Sequence, residues 1–313
     1  MNHLQNNLPK VTVITPAYNR ASYLDETISS VLGQDYPLLE YIVLDDGSTD
    51  DSLKVIRKYE DRIRWDSHSN VGETRTVNKG FSMATGDIIG IVNSDDPLLP
   101  GAISRIVKFM EAMKELVVAY PDWNMIDSQG EIVKHFRAFE YRYVDMIRKH
   151  FCLPGPGAFF RRAVLDQLKG RDPQFRYVAD LDFWFRAGLL GPFMRIPETL
   201  ATFRVHADSA TVSHKGTAMA DEHITLIEKF YSLPVIPDNV LEVKKEAYSS
   251  AYYVAGCACG KRAVFAKATY FLKALSWAPL KYFGEYRARL LVMLLSLFGI
   301  SDIQFYLFLK RLR

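Results

Sequence analysis

The sequence predicts an α/β fold, a mostly parallel β-sheet flanked by helices, followed along the chain by an α-helical C-terminal region. Two observations predict the sheet: short, almost continuously apolar segments recur through the first 120 residues, and segments with helical spacing lie between them. Strands that are apolar on both sides are typical of parallel sheets covered by helices on both faces. The third observation is the helical pattern of nearly the whole chain after Thr217, interrupted at Pro234, Pro237, Pro279 and Gly299.

The elements of the first 120 residues are predicted to alternate. Strands are predicted at residues 11–15, 40–44, 63–65, 88–92 and 117–120. The first helix is predicted to begin at Ser22 as its N-cap, with Asp25 in capping-box spacing and with Leu24, Ile28 and Val31 along one face. Further helices are predicted at residues 51–60, 73–84 and 101–113.

The pattern changes from about Trp123 onward. A turn is predicted at residues 127–130, a loop in the Pro-Gly-Pro-Gly segment 154–157, a strand at 158–161, a helix from Asp180 and a last strand at 201–205. We therefore predict one domain over residues 1–215 and a separate helical region over residues 216–313.

The composition is that of an ordinary globular protein, with 49% hydrophobic and 24% charged residues. A net charge of +3 is too small to indicate nucleic-acid binding. The cysteines Cys152, Cys257 and Cys259 form no disulfide framework and favour a reducing compartment. The first ten residues lack signal-peptide character, and the longest apolar run, residues 290–300, is shorter than the roughly 18 residues that span a membrane. We therefore expect a cytoplasmic protein that touches, at most, the inner face of the cell membrane.

The charge is concentrated at the C-terminal end. From Gly256 onward the chain has ten basic and two acidic residues, a charge of +8, which leaves −5 for residues 1–255. Three hypotheses remain open for this basic, apolar region. Its helices pack on the rest of the chain, bind an anionic membrane surface, or form the contact of a homo-oligomer.

Acidic residues follow two of the predicted strands where each strand ends. Asp45 and Asp46 follow strand 40–44, and the segment Asn-Ser-Asp-Asp at 93–96 follows strand 88–92. Ligands of open parallel sheets bind outside the carboxyl ends of the strands, so these residues are predicted to line one polar crevice. Adjacent carboxylates at such an edge are natural ligands for Mg²⁺ or Mn²⁺.

Other residues near these strands favour different interpretations. Asp50 and Asp51 precede a predicted helix, so we interpret them as caps or first-turn charges. The first strand is followed by TPAYNR and not by a glycine-rich fingerprint. A Rossmann dehydrogenase and a phosphate-cradling loop of the GKS/GKT kind are therefore disfavoured.

A third acidic site lies in the segment YVADLDFWFRAG. On a helix, Asp180 shares a face with Phe183 and Trp184, whereas Asp182 points about 200° away and can pair with Arg186 at the surface. We therefore predict that Asp180 faces inward at the N-terminal end of the helix, where the helix dipole favours its ionised form. An ionised carboxylate there is suited to act as a general base.

The segments VTVITPAYNR, VLDDGSTDDS, NVGETRTVNKGFSMATGDIIGIVNSDDPLLPGAI, YVADLDFWFR and FRVHADS occur in this order over about residues 10–210. Together they resemble an inverting family-two glycosyltransferase with the GT-A fold. The resemblance implies that residues 1–215 transfer a sugar from a nucleotide-diphosphate sugar, with UDP favoured, to a hydroxyl of a glycan or lipid-linked acceptor. It also implies Mn²⁺ or Mg²⁺ as cofactor and a place in cell-surface polysaccharide synthesis.

The resemblance also implies roles for individual residues. The residues expected to bind the nucleotide are Pro16, Ala17, Tyr18, Asp45, Asp46, Gly72, Asn78 and Ser94. Tyr18 is expected to stack on the base, and Asp46 to accept a hydrogen bond from the N–H of its ring. Asp95, Asp96 and His206 are expected to hold the metal, although the residues alone leave open a structural role for His206. Asp180 matches the catalytic base.

The sequence departs from the family pattern at three positions. Asn93 stands where the metal-binding motif usually begins with Asp, Ala179 where many members have Glu, and Arg75 where a small or acidic residue is common. Two rival functions are disfavoured. A non-catalytic nucleotide-sugar-binding subunit or scaffold would not need Asp95, Asp180 and His206 together. A nucleotidyltransferase would need a glycine-rich, basic loop after the first strand.

Overall fold

A computed structural model describes residues 8–206, 216–259 and 263–277. The chain divides into two compact units, residues 1–141 with 152–212, and residues 142–151 with 213–313. Whereas the sequence predicted one boundary after residue 215, the short segment 142–151 belongs to the second unit. It forms a seven-residue helix, which is too short for periodicity to assign.

The first unit contains an eight-stranded sheet. Its strands are β1 (Val11–Ala17), β2 (Leu39–Asp45), β3 (Arg64–Ser67), β4 (Ile88–Ile91), β5 (Val118–Ile126), β6 (Ile132–Phe136), β7 (Phe159–Arg161) and β8 (Phe193–Arg204). The order is β3-β2-β1-β4-β7-β5-β6, and β8 pairs with β5. Strand β1 is parallel to β2 and β4, β2 is parallel to β3, and β8 is parallel to β5. Strand β7 is antiparallel to β4 and β5, and β6 is antiparallel to β5, so the sheet is mixed.

The helices agree with most of the predicted ones. Those of the first unit are α1 (Ala21–Leu32), α2 (Ser52–Arg57), α3 (Glu73–Met83), α4 (Ala102–Ala112), α6 (Arg162–Leu168) and α7 (Ala179–Ala187). The described helices of the second unit are α5 (Tyr143–Lys149), α8 (Thr217–Tyr231), α9 (Asp238–Leu241), α10 (Lys244–Ala258) and α11 (Val264–Trp277).

The core of the first unit lies on both faces of the central strands. All seven residues of β1 are buried. Val11 and Val13 belong to a cluster that also contains Ile28 of α1 and Ile106 of α4. Ile14 points to the other face, because side chains alternate along a strand, and there it lies against α3. Helices on both faces explain why β1 is apolar without alternation.

The start of α1 differs from the prediction. Arg20 is at the N-cap position and Ser22 lies within the first turn, so the predicted capping box does not form. The cap is supplied from another loop. The carboxylate of Asp50 accepts the N–H of Ala21 at 3.0 Å and the N–H of Ser52 at 2.9 Å, and thus serves the first turns of two helices.

The second unit is helical in its described part. Helix α10 packs against α5, α8 and α11, and Tyr252, Phe271 and Ala274 form one of its buried clusters. None of the helices in residues 8–206, 216–259 and 263–277 is long and apolar enough to cross a membrane. The apolar run 290–300 and most of the charge of the C-terminal end lie outside the described residues. The three hypotheses for that region therefore stay predictions.

Candidate active site

The candidate site forms where the carboxyl ends of β1, β2 and β4 meet. These strands are neighbours in the sheet and parallel, so the loops that follow them lie on one edge. The loops contain Tyr18, Asp45 with Asp46, and Asp95 with Asp96. The acidic residues predicted from the strand ends therefore lie at one edge of the sheet, as expected for neighbouring parallel strands.

Asp45 and Asp46 are buried and tie the end of β2 to the chain that precedes α3. One oxygen of Asp46 accepts the N–H of Val71 at 2.7 Å and the other accepts the N–H of Gly72 at 3.0 Å. Asp45 accepts the Ser67 hydroxyl at 2.7 Å. Because a carboxylate offers about four acceptor positions and two are used here, Asp46 retains capacity for a further donor.

Two glycines allow this loop arrangement. Gly47 has a φ of +72°, and a Cβ there would lie 2.6 Å from the backbone nitrogen of Asn70. Gly72 has a φ of +88° and occupies the N-cap position of α3, which directs its N–H toward Asp46. The predicted nucleotide position Gly72 thus has a defined backbone role beside Asp46.

The predicted nucleotide-binding residues of β1 differ in their access to a ligand. Pro16 and Ala17 are buried within the strand, so their side chains belong to the core. Tyr18 is 45% exposed at the strand's carboxyl end. Asn19 next to it has a φ of +52° and accepts the N–H of Thr49 at 2.8 Å, which joins this loop to the loop after β2. Among these three predicted residues, Tyr18 therefore has the exposed side chain.

The two adjacent carboxylates of the segment after β4, Asp95 and Asp96, have different partners. Asp96 is 4% exposed, with one oxygen accepting the N–H of Arg204 at 2.8 Å and the other accepting the Asn93 amide at 2.9 Å. Burial and the neighbouring charge of Asp95 raise the pKa of Asp96 to about 7. Asp96, predicted as a metal ligand, is thus placed to brace the loop. Ser94 is also buried.

Asp95 faces His206. Its Oδ2 lies 3.0 Å from Nε2 of His206 and 3.2 Å from Nε of Arg20. His206 lies two residues beyond the end of β8. Mg²⁺ and similar hard cations bind through one or two protein ligands, with the remaining positions taken by phosphates and water. A carboxylate oxygen and an imidazole nitrogen at this separation fit such a partial site. Among the described residues no group of three or more Asp, Glu, His and Cys side chains could hold a metal by itself.

Arg204 supports the contact between Asp95 and His206. The sequence contained no sign of such a role for Arg204 beyond its position near His206. Its guanidinium is buried, donates from Nε to the backbone oxygen of Asp95 at 3.0 Å, and pairs with Glu26 of α1 at 2.5 Å. It also lies 4.9 Å from the ring centroid of Tyr23, whose ring centroid is 4.8 Å from that of His206. Arg204 thus fixes the Asp95 loop and the aromatic neighbour of His206.

Arg20 is a second cation that the sequence analysis missed. Besides Asp95, its Nη1 donates to the backbone oxygen of Asn19 at 3.0 Å, and its N–H donates to the Ser52 hydroxyl at 2.8 Å. A guanidinium is well suited to phosphate oxygens, because its donors are planar and always charged. Arg20 therefore adds positive charge where the site is otherwise acidic.

The two aspartates at the start of α7 have the opposite exposure to the one predicted. Asp182 is 4% exposed and pairs with Arg186 at 2.6 Å, so the pair exists but is buried. Asp180 is exposed. The helix is buried almost all round, including Leu181 and Phe185, so it lacks the polar face that the prediction gave to Asp182.

Asp180 combines access to solvent with a crowded setting. Solvent reaches the side chain of Asp180. The protein around the carboxylate is nevertheless dense, and burial raises its pKa. The Arg171 guanidinium lowers the pKa of Asp180, and Glu73 raises it. Its Oδ1 accepts the N–H of Leu181 at 2.8 Å. Water and a substrate hydroxyl can therefore reach a carboxylate that binds protons more readily than an ordinary aspartate.

Asn78, predicted to bind the nucleotide, holds the chain that leads to α7. Its amide nitrogen donates to the backbone oxygen of Arg171 at 2.8 Å, and its amide oxygen accepts the Arg171 N–H at 2.9 Å. The side chain is thus engaged with protein backbone, and its predicted role toward the donor is untested.

Comparisons with known proteins identify the family. The model of "Glycosyl transferase family 2" matches residues 12–169. An uncharacterized glycosyltransferase of Nostoc sp. is 28% identical over 236 residues, which are 69% of this chain and 73% of the relative. The chondroitin synthase of Escherichia coli is 25% identical over 250 residues, covering 77% of this chain and 34% of that protein.

Solved structures show the same fold. Staphylococcus aureus TarS 1–349 in complex with UDP-GlcNAc superposes with a TM-score of 0.65 at 16% identity, covering 86% of this chain and 89% of that one. Mannosyltransferase PcManGT from Pyrobaculum calidifontis, in complex with GDP-Man and Mn²⁺, has a TM-score of 0.59 at 19% identity, covering 96% and 85%. The GT-A fold implied by the resemblance is confirmed. With a family model matched over half of its length, this chain belongs to glycosyl transferase family 2.

Proposed function

We propose that this protein is a metal-assisted inverting glycosyltransferase. It moves a sugar from a nucleotide-diphosphate sugar, with a UDP-sugar favoured, to a hydroxyl of a glycan or lipid-linked acceptor in cell-surface polysaccharide synthesis. The observation that carries the proposal is Asp180, an accessible carboxylate with a raised pKa at the start of α7. A group of this kind is suited to take a proton from a hydroxyl during transfer.

The donor side of the proposal rests on the loops after β1, β2 and β4. Tyr18 is exposed for stacking, and Asp46 has acceptor capacity for a ring N–H. A UDP-sugar is favoured because uracil offers such an N–H and because the TarS structure has UDP-GlcNAc bound. The PcManGT complex with GDP-Man makes a guanine nucleotide the main alternative.

The reaction is a single displacement. Asp180 accepts the proton of the acceptor hydroxyl, whose oxygen forms a bond to the anomeric carbon from the face opposite the leaving group. The bond from that carbon to the diphosphate oxygen breaks, so the configuration inverts and the nucleoside diphosphate leaves. Asp95 and His206 would hold the metal, and Arg20 adds a fixed cation beside Asp95. A bound Mn²⁺ or Mg²⁺ supplies Lewis-acid stabilisation of the diphosphate charge.

The proposal also covers the product and the place of action. A polysaccharide product is supported by the chondroitin synthase relative. A contact with the inner face of the membrane is supported only by the basic, apolar C-terminal sequence.

The test is calorimetric titration of the full chain with UDP, dTDP and GDP, each with and without Mn²⁺. Metal-dependent, selective binding of one nucleotide supports the transferase and identifies the donor class. Transfer from that nucleotide's sugars is then followed by NMR of the anomeric proton, where a β-linked product from an α-linked donor shows inversion. Binding without transfer would favour the non-catalytic nucleotide-sugar-binding scaffold, and absence of binding by a folded protein would contradict the proposal.

A further inference from the structure

Two side chains contact the same oxygen of Asp95. Its Oδ2 lies 3.0 Å from Nε2 of His206 and 3.2 Å from Nε of Arg20. A carboxylate has about four acceptor positions, two on each oxygen, so these two contacts occupy Oδ2. The oxygen proposed to bind the metal is therefore also the one that forms an ion pair with Arg20.

The guanidinium of Arg20 is held beside this oxygen. Arg20 stands at the N-cap position of α1, where its N–H donates to the Ser52 hydroxyl at 2.8 Å. Its Nη1 donates to the backbone oxygen of Asn19 at 3.0 Å. The side chain is 21% exposed, and a guanidinium stays protonated in proteins. Arg20 is thus a positive charge with a defined position.

A second arginine holds Asp95 through its main chain. Arg204 donates from Nε to the backbone oxygen of Asp95 at 3.0 Å. Its backbone N–H donates to Oδ1 of Asp96 at 2.8 Å, and its Nη2 pairs with Glu26. Arg204 therefore fixes the loop, whereas Arg20 contacts the Asp95 carboxylate itself.

The separation between Asp95 and His206 suits two adjacent ligands of one metal ion. Adjacent ligand atoms of an octahedral Mg²⁺ site lie about 3 Å apart, because each lies about 2.0–2.1 Å from the ion. Oδ2 and Nε2 have this separation. A coordinating imidazole nitrogen carries no proton, so His206 would give up its hydrogen bond to Asp95 on coordination. Arg20 cannot lose its proton in the same way, so two cations would share one carboxylate oxygen.

The charge of Arg20 has opposite effects on an ion alone and on an ion that arrives with a diphosphate. For the ion alone, Arg20 offsets part of the attraction of Asp95 and adds repulsion. A diphosphate brings oxygens for both cations. Mg²⁺ and similar ions usually bind through one or two carboxylates plus substrate phosphates, and planar guanidinium donors suit phosphate oxygens.

We propose that Arg20 makes metal binding conditional on the diphosphate: it disfavours the divalent ion alone at Asp95 and favours the ion together with a diphosphate. This proposal deepens the proposed function and rests on it, because it takes Asp95 and His206 as the metal ligands. Coupling between two ligands is reciprocal, so the metal should also raise the affinity for the diphosphate more in wild type than without Arg20. The site would then fill with donor and metal together.

The first test measures the binding of the metal alone. Mn²⁺ is titrated into the full-length protein without nucleotide, and free Mn²⁺ is followed by electron paramagnetic resonance. Arg20→Gln should bind Mn²⁺ about threefold or more tightly than wild type, because a repelling charge is removed. Arg20→Met should do the same, and Arg20→Lys, which keeps the charge, should stay near wild type. Equal or weaker binding in both neutral variants overturns the proposal.

Two controls locate the effect at Asp95. Arg105→Gln removes an exposed charge of α4 that pairs with Glu198, and it should leave the Mn²⁺ affinity unchanged. In an Asp95→Asn background, Arg20→Gln should change the Mn²⁺ affinity much less than it does in wild type, because the effects of residues in contact are not additive. An effect of the same size in both backgrounds overturns the proposal.

The second test measures the binding of a diphosphate with the metal. Calorimetry follows the binding of the manganese complex of inorganic pyrophosphate, which carries no base and no sugar. Arg20→Gln should bind this complex about fivefold or more weakly than wild type, the opposite sign to the first test. Unchanged or tighter binding overturns the proposal.

The two tests separate this proposal from the proposed function. If both affinities change as expected but no sugar is transferred from any nucleotide donor, the proposed function fails while the coupling by Arg20 stands. If sugar is transferred but both affinities are unchanged in Arg20→Gln, the coupling fails while the proposed function stands.

Discussion

Asp95 and His206 lie with Oδ2 and Nε2 3.0 Å apart, although 111 positions separate them in the chain. Asp95 reaches this point from the loop after β4, and His206 from the end of β8. Arg204 braces both, through the backbone oxygen of Asp95 and through Tyr23 beside the imidazole. The contact therefore joins two strand ends into one corner of the site.

The contact between Asp95 and His206 predicts that substitution of His206 weakens nucleotide binding only when the metal is present. His206→Ala removes one of two proposed metal ligands, so Mn²⁺-dependent affinity should fall about tenfold or more. Binding measured without metal should change little. Calorimetry with and without Mn²⁺ checks this, with His135→Ala, an exposed histidine of β6, as the matched control. Equal loss in both conditions would show that His206 does not act through the metal.

Asp180→Asn should abolish most of the transfer while leaving donor binding nearly intact. The amide cannot take the proton, and general-base assistance is typically worth about 10² to 10⁴ in rate. Single-turnover transfer and nucleotide calorimetry on the same preparation separate the two effects. Asp25→Asn, an exposed aspartate of α1, is the control. A variant that kept more than about a tenth of wild-type turnover would rule out Asp180 as the base.

Wild-type activity should fall as the pH is lowered into a range above that of an ordinary aspartate. The sign follows from burial, which raises the pKa of Asp180, because the base is active only when ionised. A profile of kcat/KM against pH under saturating metal measures the acid limb. A limb at or below the usual aspartate range, about 4, would contradict the burial effect.

Asp182→Asn should destabilise the first unit without changing the chemistry directly. Removing one partner of a buried ion pair leaves Arg186 uncompensated, which typically costs about 3–5 kcal/mol. Denaturant unfolding of the full chain measures the change. The double variant Asp182→Leu with Arg186→Met should recover part of the loss, whereas a loss below about 1 kcal/mol in Asp182→Asn would indicate that the pair is solvated.

The helical unit should lose stability in mild acid. His150 and His223 are buried with ring nitrogens 3.1 Å apart, and burial lowers the pKa of both, that of His223 to about 4. The pKa values of both histidines are lower in the folded than in the unfolded state. Their contribution to stability is therefore complete at pH values above the unfolded pKa of about 6.5, and it is lost as the pH falls below that value. The free energy of unfolding is measured with denaturant between about pH 7.5 and about pH 5. It should fall less steeply with decreasing pH in His223→Leu than in wild type or in His135→Gln.

Much of the site could be predicted from local sequence. The strands β1, β2 and β4 are mostly apolar and almost entirely buried. Because the carboxyl ends of neighbouring parallel strands meet at one edge, the acidic loops could be expected to converge. The mixed second half of the sheet could not be predicted in the same way. Strands β6 and β7 are five and three residues long, too short for periodicity to give their direction.

The sequence by itself determined the family, the class of fold and the loops that carry the acidic residues, because these depend on apolar patterns and ordered motifs. The exposure and the hydrogen-bond partners of each carboxylate depend instead on how the chain packs. Asp180 and Asp182 exchange their expected exposure because α7 is enclosed on nearly every side, and Asp96 turns inward because Asn93 and the Arg204 backbone bond it. The cations Arg20 and Arg204 contact Asp95 although both are distant from it in the chain. Contacts of that kind depend on how elements pack, which no local pattern records.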